Sequence, residues 1–547
     1  MTRKQRPSQP NIIFVFSDQE RYFPKWPAGL ALPAHERMQR TGVTFHNHYA
    51  PAVMCTSSRS VLMTGLQTVD TGMFDNTDLP YVKNLSTKVP TIGHMLRKAG
   101  YYTAYKGKWH LSRKFDVEEP EVLLTKEMEK YGFADYNSVG DIVGHSLGGF
   151  QFDHLIAGSA KTWLRRHGRQ LTDQGKPWCL FVSLVNPHDI MYFNTDAPGQ
   201  DVQDTGHLMR RATRAPNHEL FKPTWDMPLP KSLRQPFDAP GRPKAHGEFH
   251  RVWDTVLGQI PLEEERWKRF NDFYINCIRS VDLQVDSILS ELDALRLTDS
   301  TAFFYTADHG EMAGAHGLRG KGPFMYEECT HLPFYVVHPD VKGGQQTRAV
   351  TGHIDVVPTL LSIAGVTPIQ AAEYAGRKLP GKDFSSILSN PGAASLHATR
   401  DAALFTSSML YTNDGELFSH IGKARTTGTN PALVLLKARY KPNMKKRGSL
   451  RAAIDGRYKF ARYFSPLEHN RPTTLDELYE WNDVELFDLE SDPGEMDNLA
   501  ADRTKNRDLI LAMNAKLNAL IKAEIGVDDG RELPNIPLIK WQIDKVS

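Results

Sequence analysis

The sequence predicts an α/β fold in which a large, mostly parallel β-sheet is flanked by helices, with a smaller α+β domain at the C-terminal end. Two observations support this prediction. Several short apolar runs of strand length alternate with segments whose apolar residues recur at helical spacing. Conspicuous polar residues also follow several of the strand-like runs. This alternation is typical of a parallel sheet with helices packed on its faces.

The predicted strands are short runs of apolar residues bounded by polar or turn residues. They cover residues 12–16, 43–45, 101–105, 180–185, 302–305 and 334–337. Between them, apolar residues at helical spacing predict the helices. These cover residues 33–40, the segment after Cys55, and residues 90–99, 160–169, 264–296 and 354–364.

Two regions lack clear periodicity. Residues 190–260 are rich in Pro, Gly and charge, so we predict a long irregular excursion over one face that contributes a substrate rim. Gly and Pro residues within 375–400 mark a boundary between a larger N-terminal domain, residues 1–395, and a smaller C-terminal domain, residues 396–547.

The C-terminal domain has the pattern of antiparallel strands and one helix. Asp455-Gly456 between two apolar runs predicts a β-hairpin. Residues 485–489 predict one more strand and residues 506–522 a helix, followed by an irregular tail after Gly526.

Composition restricts the classes of function. The chain has 547 residues, long enough for two or more domains. Its net charge of +2, from 66 basic and 64 acidic residues, argues against nucleic acid or an anionic membrane surface as a partner. No apolar run approaches the roughly 20 residues that span a bilayer. The four cysteines have no C-x-x-C spacing, so we expect neither a disulfide framework nor a zinc site, and a cytoplasmic location.

Polar side chains follow four of the predicted strands. The carboxyl ends of parallel strands share one edge of the sheet, where α/β proteins bind ligands. A single polar residue in such a place is usually a helix cap or a turn residue. Four such groups together predict one shared site. They are Asp18-Gln19, Lys108 with His110, His188-Asp189, and Asp308-His309.

The segment Cys55-Thr56-Ser57-Ser58-Arg59 leads directly into a short helical pattern that stops at Gly65. Free backbone N–H groups and the positive end of the helix dipole would then lie beside the Cys55 side chain, a favourable setting for an anion. Arg59 can serve as a forked donor there. Taken alone, the segment also fits a buried cysteine at a capped helix. The polar strand ends favour a reactive site.

The chemistry of the polar residues divides into two groups. Asp18, Gln19, Asp308 and His309 supply two carboxylates, an amide oxygen and an imidazole, which suit one hard divalent cation, Ca²⁺ or Mn²⁺.

The second group is cationic or proton-donating. Around one nucleophile, such residues and a metal ion would neutralise a multiply charged transition state, as sulfuryl or phosphoryl transfer requires. The group comprises Arg59, Lys108, His110, His188 and Lys321.

Several motifs then resemble those of one family. C-T-S-S-R-S-V-L-M-T-G from Cys55 resembles the sulfatase signature C-x-P-x-R-x-x-x-L-T-G, with Ser57 where the family usually has proline. Further matches follow in the family's order: D-Q at 18–19, G-K-W-H-L at 107–111, N-P-H-D at 186–189, D-H-G at 308–310, G-K-G and Y-E-E within 320–328, and L-F-D-L at 486–489. The chain resembles the formylglycine-dependent sulfatases of the alkaline phosphatase superfamily. Its motifs are most similar to those of the arylsulfatase, choline-sulfatase and phosphonate monoester hydrolase branches.

The resemblance implies a role for each matching residue. Cys55 becomes formylglycine, whose hydrate is both nucleophile and metal ligand, together with the ligands Asp18, Gln19, Asp308 and His309. One hydroxyl attacks sulfur and the alcohol leaves; a base then takes the proton of the second hydroxyl, so that sulfate departs. The implied roles of the other residues are: His110 as that base, Arg59 and Lys108 holding the formylglycine, and His188, Lys321 and Asn76 contacting the sulfate group.

The expected activity is therefore hydrolysis of an aryl or alkyl sulfate, a small molecule, with a formylglycine-generating enzyme as a transient partner. A phosphonate or phosphate-ester hydrolase on the same scaffold is the first alternative. An inactive anion-binding relative, with Cys55 unconverted, is the second. The tail after Gly526 suggests contact with a second copy, so we expect a homo-oligomer.

Overall fold

The structure, a computed structural model, describes residues 9–116, 123–137, 140–141, 145–203, 212–426, 434, 437 and 441–535. The strands within these residues are β1 (Asn11–Asp18), β2 (Val43–Phe45), β3 (His48–Tyr49), β4 (Tyr102–Gly107), β5 (Trp178–Pro187), β6 (Thr301–Ala307), β7 (His331–Leu332), β8 (Tyr335–Val337), β9 (Gln345–Thr347), β10 (Thr351–Gly352), β11 (Ala403–Ser407), β12 (Ser449–Ile454), β13 (Tyr458–Phe464) and β14 (Asn482–Asp488).

The helices alternate with these strands through most of the chain. They are α1 (Pro33–Thr41), α2 (Cys55–Thr64), α3 (Thr68–Thr71), α4 (Ile92–Lys98), α5 (Thr125–Glu129), α6 (Gly148–Trp163), α7 (Arg169–Asp173), α8 (Lys244–Leu257), α9 (Glu264–Ala294), α10 (Glu327–Thr330), α11 (Val356–Ile363), α12 (Pro368–Ala375), α13 (Gly415–Thr426), α14 (Leu475–Trp481) and α15 (Arg507–Glu524).

The main sheet has seven strands in the order β4-β5-β1-β6-β8-β2-β9. Strands β4, β5, β1 and β6 run parallel to one another, and β2 runs parallel to β9. Strand β8 is antiparallel to both neighbours. The large, mostly parallel sheet is confirmed, although the strand predicted at residues 334–337 runs in the opposite direction to the others.

Strand β1 is buried on both faces, which explains its uninterrupted apolar sequence. Ile12, Phe14 and Phe16 pack into the core that includes α4 and α11. Ile13 and Val15 pack into the opposite core, which includes α1, α6 and α9. The sheet is thus covered by helices on both sides, as predicted.

Two predictions about local structure were wrong. The helix predicted at 160–169 begins twelve residues earlier, since α6 begins at Gly148 and its π-helical extension, Leu164–Gly168, leads into α7. Residues 190–260 are not wholly irregular, because α8 lies within them. Its apolar residues, such as Phe249 and Trp253, are buried, and Pro and charged neighbours obscured that pattern. Residues 204–211 of this excursion lie outside the described residues.

The C-terminal part contains a four-stranded antiparallel sheet in the order β11-β12-β13-β14. Asp455 and Gly456 form the turn between β12 and β13, with Gly456 at a φ of 87°. This confirms the predicted hairpin. Helix α15 packs on the sheet through residues such as Ile510 and Leu517. Beyond α15, Asp528 forms an ion pair with Arg451 of β12, so this part of the tail packs on its own chain.

No single helix among the described residues is long and apolar enough to cross a membrane. One bent pair, His353–Ile363 and Pro368–Ala375, meets the length and composition requirement only when the two segments are taken together, across a bend of 117°.

Arg400 connects the main sheet region to α15. Its guanidinium donates two hydrogen bonds to Asp355, at 2.8 and 2.7 Å, and one to Glu524, at 2.8 Å. The Arg400 side chain is only 4% exposed. Replacing Arg400 with alanine would leave two buried carboxylates unpaired. We expect the free energy of unfolding in denaturant to fall by about 3–5 kcal/mol.

A matched control is Arg165→Ala. Arg165 also donates two hydrogen bonds to one carboxylate, Glu291, but its side chain is 63% exposed. Because water screens this pair, we expect little change in the denaturation midpoint. If the midpoint of Arg400→Ala also stays close to that of wild type, Arg400 does not stabilise the fold.

Candidate active site

The predicted site residues converge at the carboxyl edge of the main sheet. Ser17 of β1 pairs with Ala307, the last residue of β6. Asp18, the last residue of β1, and Asp308, the residue after β6, therefore lie side by side. Lys108 follows β4 directly. The same edge also holds His110, His188 and His309. Helix α2 contributes Cys55 and Arg59, and loops contribute Asn76 and Lys321. None of the predicted site residues is more than 9% exposed.

Cys55 is the first residue of the buried helix α2, which ends at Gly65 with a φ of 67°. The Cys55 sulfur lies 3.1 Å from Nε2 of His309 and 3.6 Å from Oδ1 of Asp18. The predicted passage from a loop into a helix is present. Residue 55 therefore lies at the positive end of a helix dipole.

Arg59 holds the two aspartates of the site. Its Nη2 and Nε each donate a hydrogen bond of 2.8 Å, to Oδ2 of Asp18 and Oδ2 of Asp308 respectively. Its Nη1 donates to Oγ of Ser183 at 2.8 Å and to the carbonyl of Lys108 at 2.9 Å. The Arg59 guanidinium thus binds groups that lie in β1 and β5 or directly follow β4 and β6. A lysine has no planar fork of donors with which to bind all of them.

A set of possible metal ligands lies beside residue 55. One ligand atom from each of Asp18, Cys55, Asp308 and His309 lies within 4.8 Å of the others, and all four residues are buried. Two carboxylates and an imidazole converging in this way fit a divalent cation.

Gln19, predicted as another ligand, is next to this set. Its amide oxygen accepts a hydrogen bond from Nζ of Lys321, and its Nε2 donates to Glu311 at 2.5 Å.

Lys108 and Arg59 lower the pKa of the Asp18 carboxyl group. Lys108 Nζ donates to Oδ2 of Asp18 at 2.6 Å. Burial alone would raise the pKa of Asp18, but the cations Lys108 and Arg59 outweigh it and hold this pKa below its usual value. Asp18 is therefore ionised at neutral pH.

The two histidines nearest the cavity differ in charge. Burial would lower the pKa of His110, but hydrogen bonds to Asp78 and Cys55 outweigh burial and raise it to about 9. Burial and the neighbouring cations Lys321 and Lys108 lower the pKa of His188 to about 4. At neutral pH, His110 is therefore protonated and positively charged, and His188 is neutral. Different environments thus give two histidines of one site different pKa values and different roles in proton transfer.

Three carboxylates were not predicted from the sequence. Glu311 binds Gln19 and accepts the backbone N–H of Ala313 at 2.9 Å. Asp78 lies 3.4 Å from His110 Nε2. Asp141 accepts the backbone N–H groups of residues 109 and 110 at 2.5 and 2.9 Å. Glu311 lies two residues after His309, which was a detectable signal; Asp78 and Asp141 had none.

Two other predicted polar residues have structural contacts. Asp189 accepts the backbone N–H groups of Gly149 and Phe150 at 2.9 and 2.8 Å, so it caps α6. Asn76 accepts the backbone N–H of Thr56 at 3.2 Å, in the first turn of α2.

A cavity of about 210 Å³ opens at this edge of the sheet. Asn76, His110, His188 and Lys321 line its reactive end. A larger cavity, of about 790 Å³, lies between residues 377–401 and 516–526 and contains none of the predicted site residues. The smaller cavity is therefore the candidate substrate site.

Solved structures of sulfatases and of a phosphonate monoester hydrolase share this alkaline-phosphatase-like α/β fold. The family model for sulfatases matches residues 10–366, and the chain belongs to the sulfatase family. It is accordingly a sulfuric ester hydrolase.

Similar proteins agree with this assignment. Choline-sulfatase from Rhizobium meliloti (strain 1021) is 27% identical over 381 residues, covering 66% of this chain and 68% of that protein. N-acetylglucosamine-6-O-sulfatase from Bacteroides thetaiotaomicron is 26% identical over 430 residues, covering 71% and 73%. The solved structure of phosphonate monoester hydrolase SpPMH from Silicibacter pomeroyi has the same fold, with a TM-score of 0.64 and 18% identity over 95% of this chain and 97% of that chain.

Proposed function

We propose that the protein hydrolyses aryl or alkyl sulfate monoesters with a formylglycine made from Cys55 and one divalent metal ion, Ca²⁺ or Mn²⁺. The observation that carries the proposal is the position of the Cys55 side chain. It lies at a helix N-terminus, 3.1 Å from His309 and 3.6 Å from Asp18, with cationic groups around it. A nucleophile formed there would lie between metal ligands and the groups that bind sulfate.

Asp18, Asp308 and His309 would hold the metal ion together with the side chain of residue 55. Gln19, whose amide oxygen accepts a hydrogen bond from Lys321, would be a further ligand. When bound, the ion supplies Lewis acidity and positive charge next to the nucleophile. Arg59 holds the two aspartates in place through an ion pair with each of them.

The other residues would act on the substrate and on protons. His110, with its raised pKa, can exchange a proton at the side chain of residue 55. Lys321 and neutral His188 line the cavity, where they can donate hydrogen bonds to the sulfate oxygens and to the leaving oxygen. Lys108 offsets the negative charge of Asp18. Asn76, at the cavity wall, is suited to contact the sulfate group.

Two alternatives have specific support. A phosphonate monoester hydrolase shares this fold, so a phosphonate or phosphate ester is the first alternative substrate. The Lys-x-His pair, Lys108 and His110, favours sulfate instead, because the phosphonate branch that the chain resembles lacks this pair.

The second alternative is a binding protein in which Cys55 stays a thiol. Burial would raise the pKa of this thiol, but Lys321, Lys108 and His309 outweigh burial and hold the pKa well below its ordinary value. Such a thiolate could bind metal, yet it lacks the second hydroxyl that releases sulfate.

Mass spectrometry of the Cys55 peptide from the native host tests the modification. We expect the aldehyde form, made by a formylglycine-generating enzyme that accepts Ser57 in place of proline. The same sample should hydrolyse an aryl sulfate at least about tenfold faster than the matched aryl phosphate or phenyl phosphonate ester. A thiol throughout would support the binding protein, and a preference for the phosphonate would support the first alternative.

A further inference from the structure

The cavity has a second, mostly apolar wall beside the reactive residues, and we name it the apolar wall. It consists of apolar and aromatic side chains from α8, from α13 and from the loops beside them. Its members are Met54, Leu79, Met191, Tyr192, Trp253, Val256, Tyr411 and Phe418.

Aromatic rings form the centre of the apolar wall. Trp253 is 2% exposed and stacks on Phe249, with ring centroids 4.4 Å apart. Tyr411 lies nearly parallel to Trp253 at 6.2 Å, and Phe418 contacts Tyr411 at 6.3 Å. Such a wall gains free energy by removing apolar surface of a ligand from water.

Asp75 and Asp78 supply the two carboxyl groups among the described lining residues. Asp75 accepts the backbone N–H of Asn76 at 2.8 Å, and its burial raises its pKa well above the usual value. Asp78 pairs with His110. Neither offers a free negative charge to a cationic leaving group. Lys321 adds positive charge at the reactive end.

The cavity is also small. Ligand sites for drug-sized molecules measure roughly 300–1,000 Å³. This cavity measures about 210 Å³. An apolar cavity of roughly 150 Å³ holds a benzene ring. One ring, or a compact branched alkyl group, therefore fits beside the sulfate.

A sugar would fit this wall poorly. Each hydroxyl group that enters an apolar wall without a hydrogen-bond partner loses its hydration at a cost in free energy. Among the described lining residues, the apolar wall itself carries three polar groups, the hydroxyl groups of Tyr192 and Tyr411 and the indole N–H of Trp253, which are fewer than the hydroxyl and amino groups of a hexosamine.

From this wall we infer that the leaving group is a compact, uncharged aryl or branched alkyl alcohol, unlike the substrates for which the choline-sulfatase and N-acetylglucosamine-6-O-sulfatase relatives are named. This inference rests on the proposed sulfate ester hydrolysis. Trp253 and Phe418 are the residues that determine this preference for an uncharged, apolar leaving group.

Comparing three primary alkyl sulfates tests which leaving group the site prefers. Their sulfate ester bonds have nearly the same reactivity, so differences in kcat/KM report recognition of the leaving group. They are 3,3-dimethylbutyl sulfate, choline sulfate, which has the same shape with a positive charge, and glucosamine 6-sulfate. We expect kcat/KM for the uncharged ester to exceed that of each of the others at least tenfold. Phenyl sulfate should also be hydrolysed. Equal values, or a preference for the cation or the sugar, overturn the inference.

Variants of the apolar wall supply the second test. Trp253→Ala should lower kcat/KM for 3,3-dimethylbutyl sulfate about 10–100-fold, with a much smaller change for glucosamine 6-sulfate. Trp267→Ala is the matched control, since Trp267 is 4% exposed and packs in a different core. If Trp253→Ala does not fold, half-buried Phe418→Ala should give the same selective loss. An equal loss for both esters contradicts the inference.

The outcome also separates this inference from the proposed function. If a sample with converted Cys55 hydrolyses glucosamine 6-sulfate well, the inference fails and the sulfatase activity stands. If that sample hydrolyses none of the four sulfate esters, the proposed function itself fails.

Discussion

Replacing Cys55 with alanine is expected to lower kcat/KM for sulfate esters by at least about 10⁴-fold, because the variant cannot form the nucleophile. The side chain is small and lies at the first residue of α2, so the melting temperature should change little. Steady-state kinetics with an aryl sulfate, together with thermal unfolding, measures both quantities.

The control for this variant is Cys179→Ala. Cys179 is also fully buried, but it lies in β5 within the core, and its burial raises its pKa well above the ordinary value. This variant should keep its activity even if it is less stable. If Cys55→Ala keeps more than a few per cent of the wild-type kcat/KM, residue 55 is not the nucleophile.

Removing divalent metal with a chelator is expected to lower activity by at least about 10³-fold and to lower the melting temperature. Asp18 and Asp308 converge with His309 at one point, and a bound ion offsets their negative charge. At a concentration 100 times the dissociation constant, an ion that binds only the folded state adds about 2.7 kcal/mol of stability. Adding Ca²⁺ or Mn²⁺ separately should restore both quantities, and the better ion identifies the metal.

An Asp308→Asn variant makes this experiment specific to the site. It removes one charged ligand and keeps the size of the side chain, so the melting temperature of the variant should rise much less when metal is added. Wild-type protein whose melting temperature responds to neither ion would contradict the proposed metal site. An equal response of wild type and variant would place the ion elsewhere.

The local elements of the main sheet were predictable because their signals are short-range. The apolar run of β1 is buried on both faces, and its length and bounds are visible in the sequence alone. The hairpin turn at Asp455-Gly456 follows from the φ preference of glycine. By contrast, α8 was missed because Pro and charged residues surround an amphipathic pattern that only its packing reveals.

The candidate site was largely predictable for a different reason. Parallel strands place their carboxyl ends at one edge, so Asp18 and Asp308 could be expected near each other although 290 residues separate them. Asp78 and Asp141 could not be predicted. They support His110 and its backbone from loops, and loop positions depend on contacts that sequence periodicity does not report.

The class of fold, the motifs of a sulfatase and the residue types available for chemistry could be predicted, because they depend on local pattern and side-chain identity. The arrangement of those groups depends on long-range packing. Arg59 bridges two aspartates, and α8 and α13 meet above the cavity to form its apolar wall. That wall joins segments about 160 residues apart, from Trp253 to Phe418, and such contacts arise only when the whole chain packs.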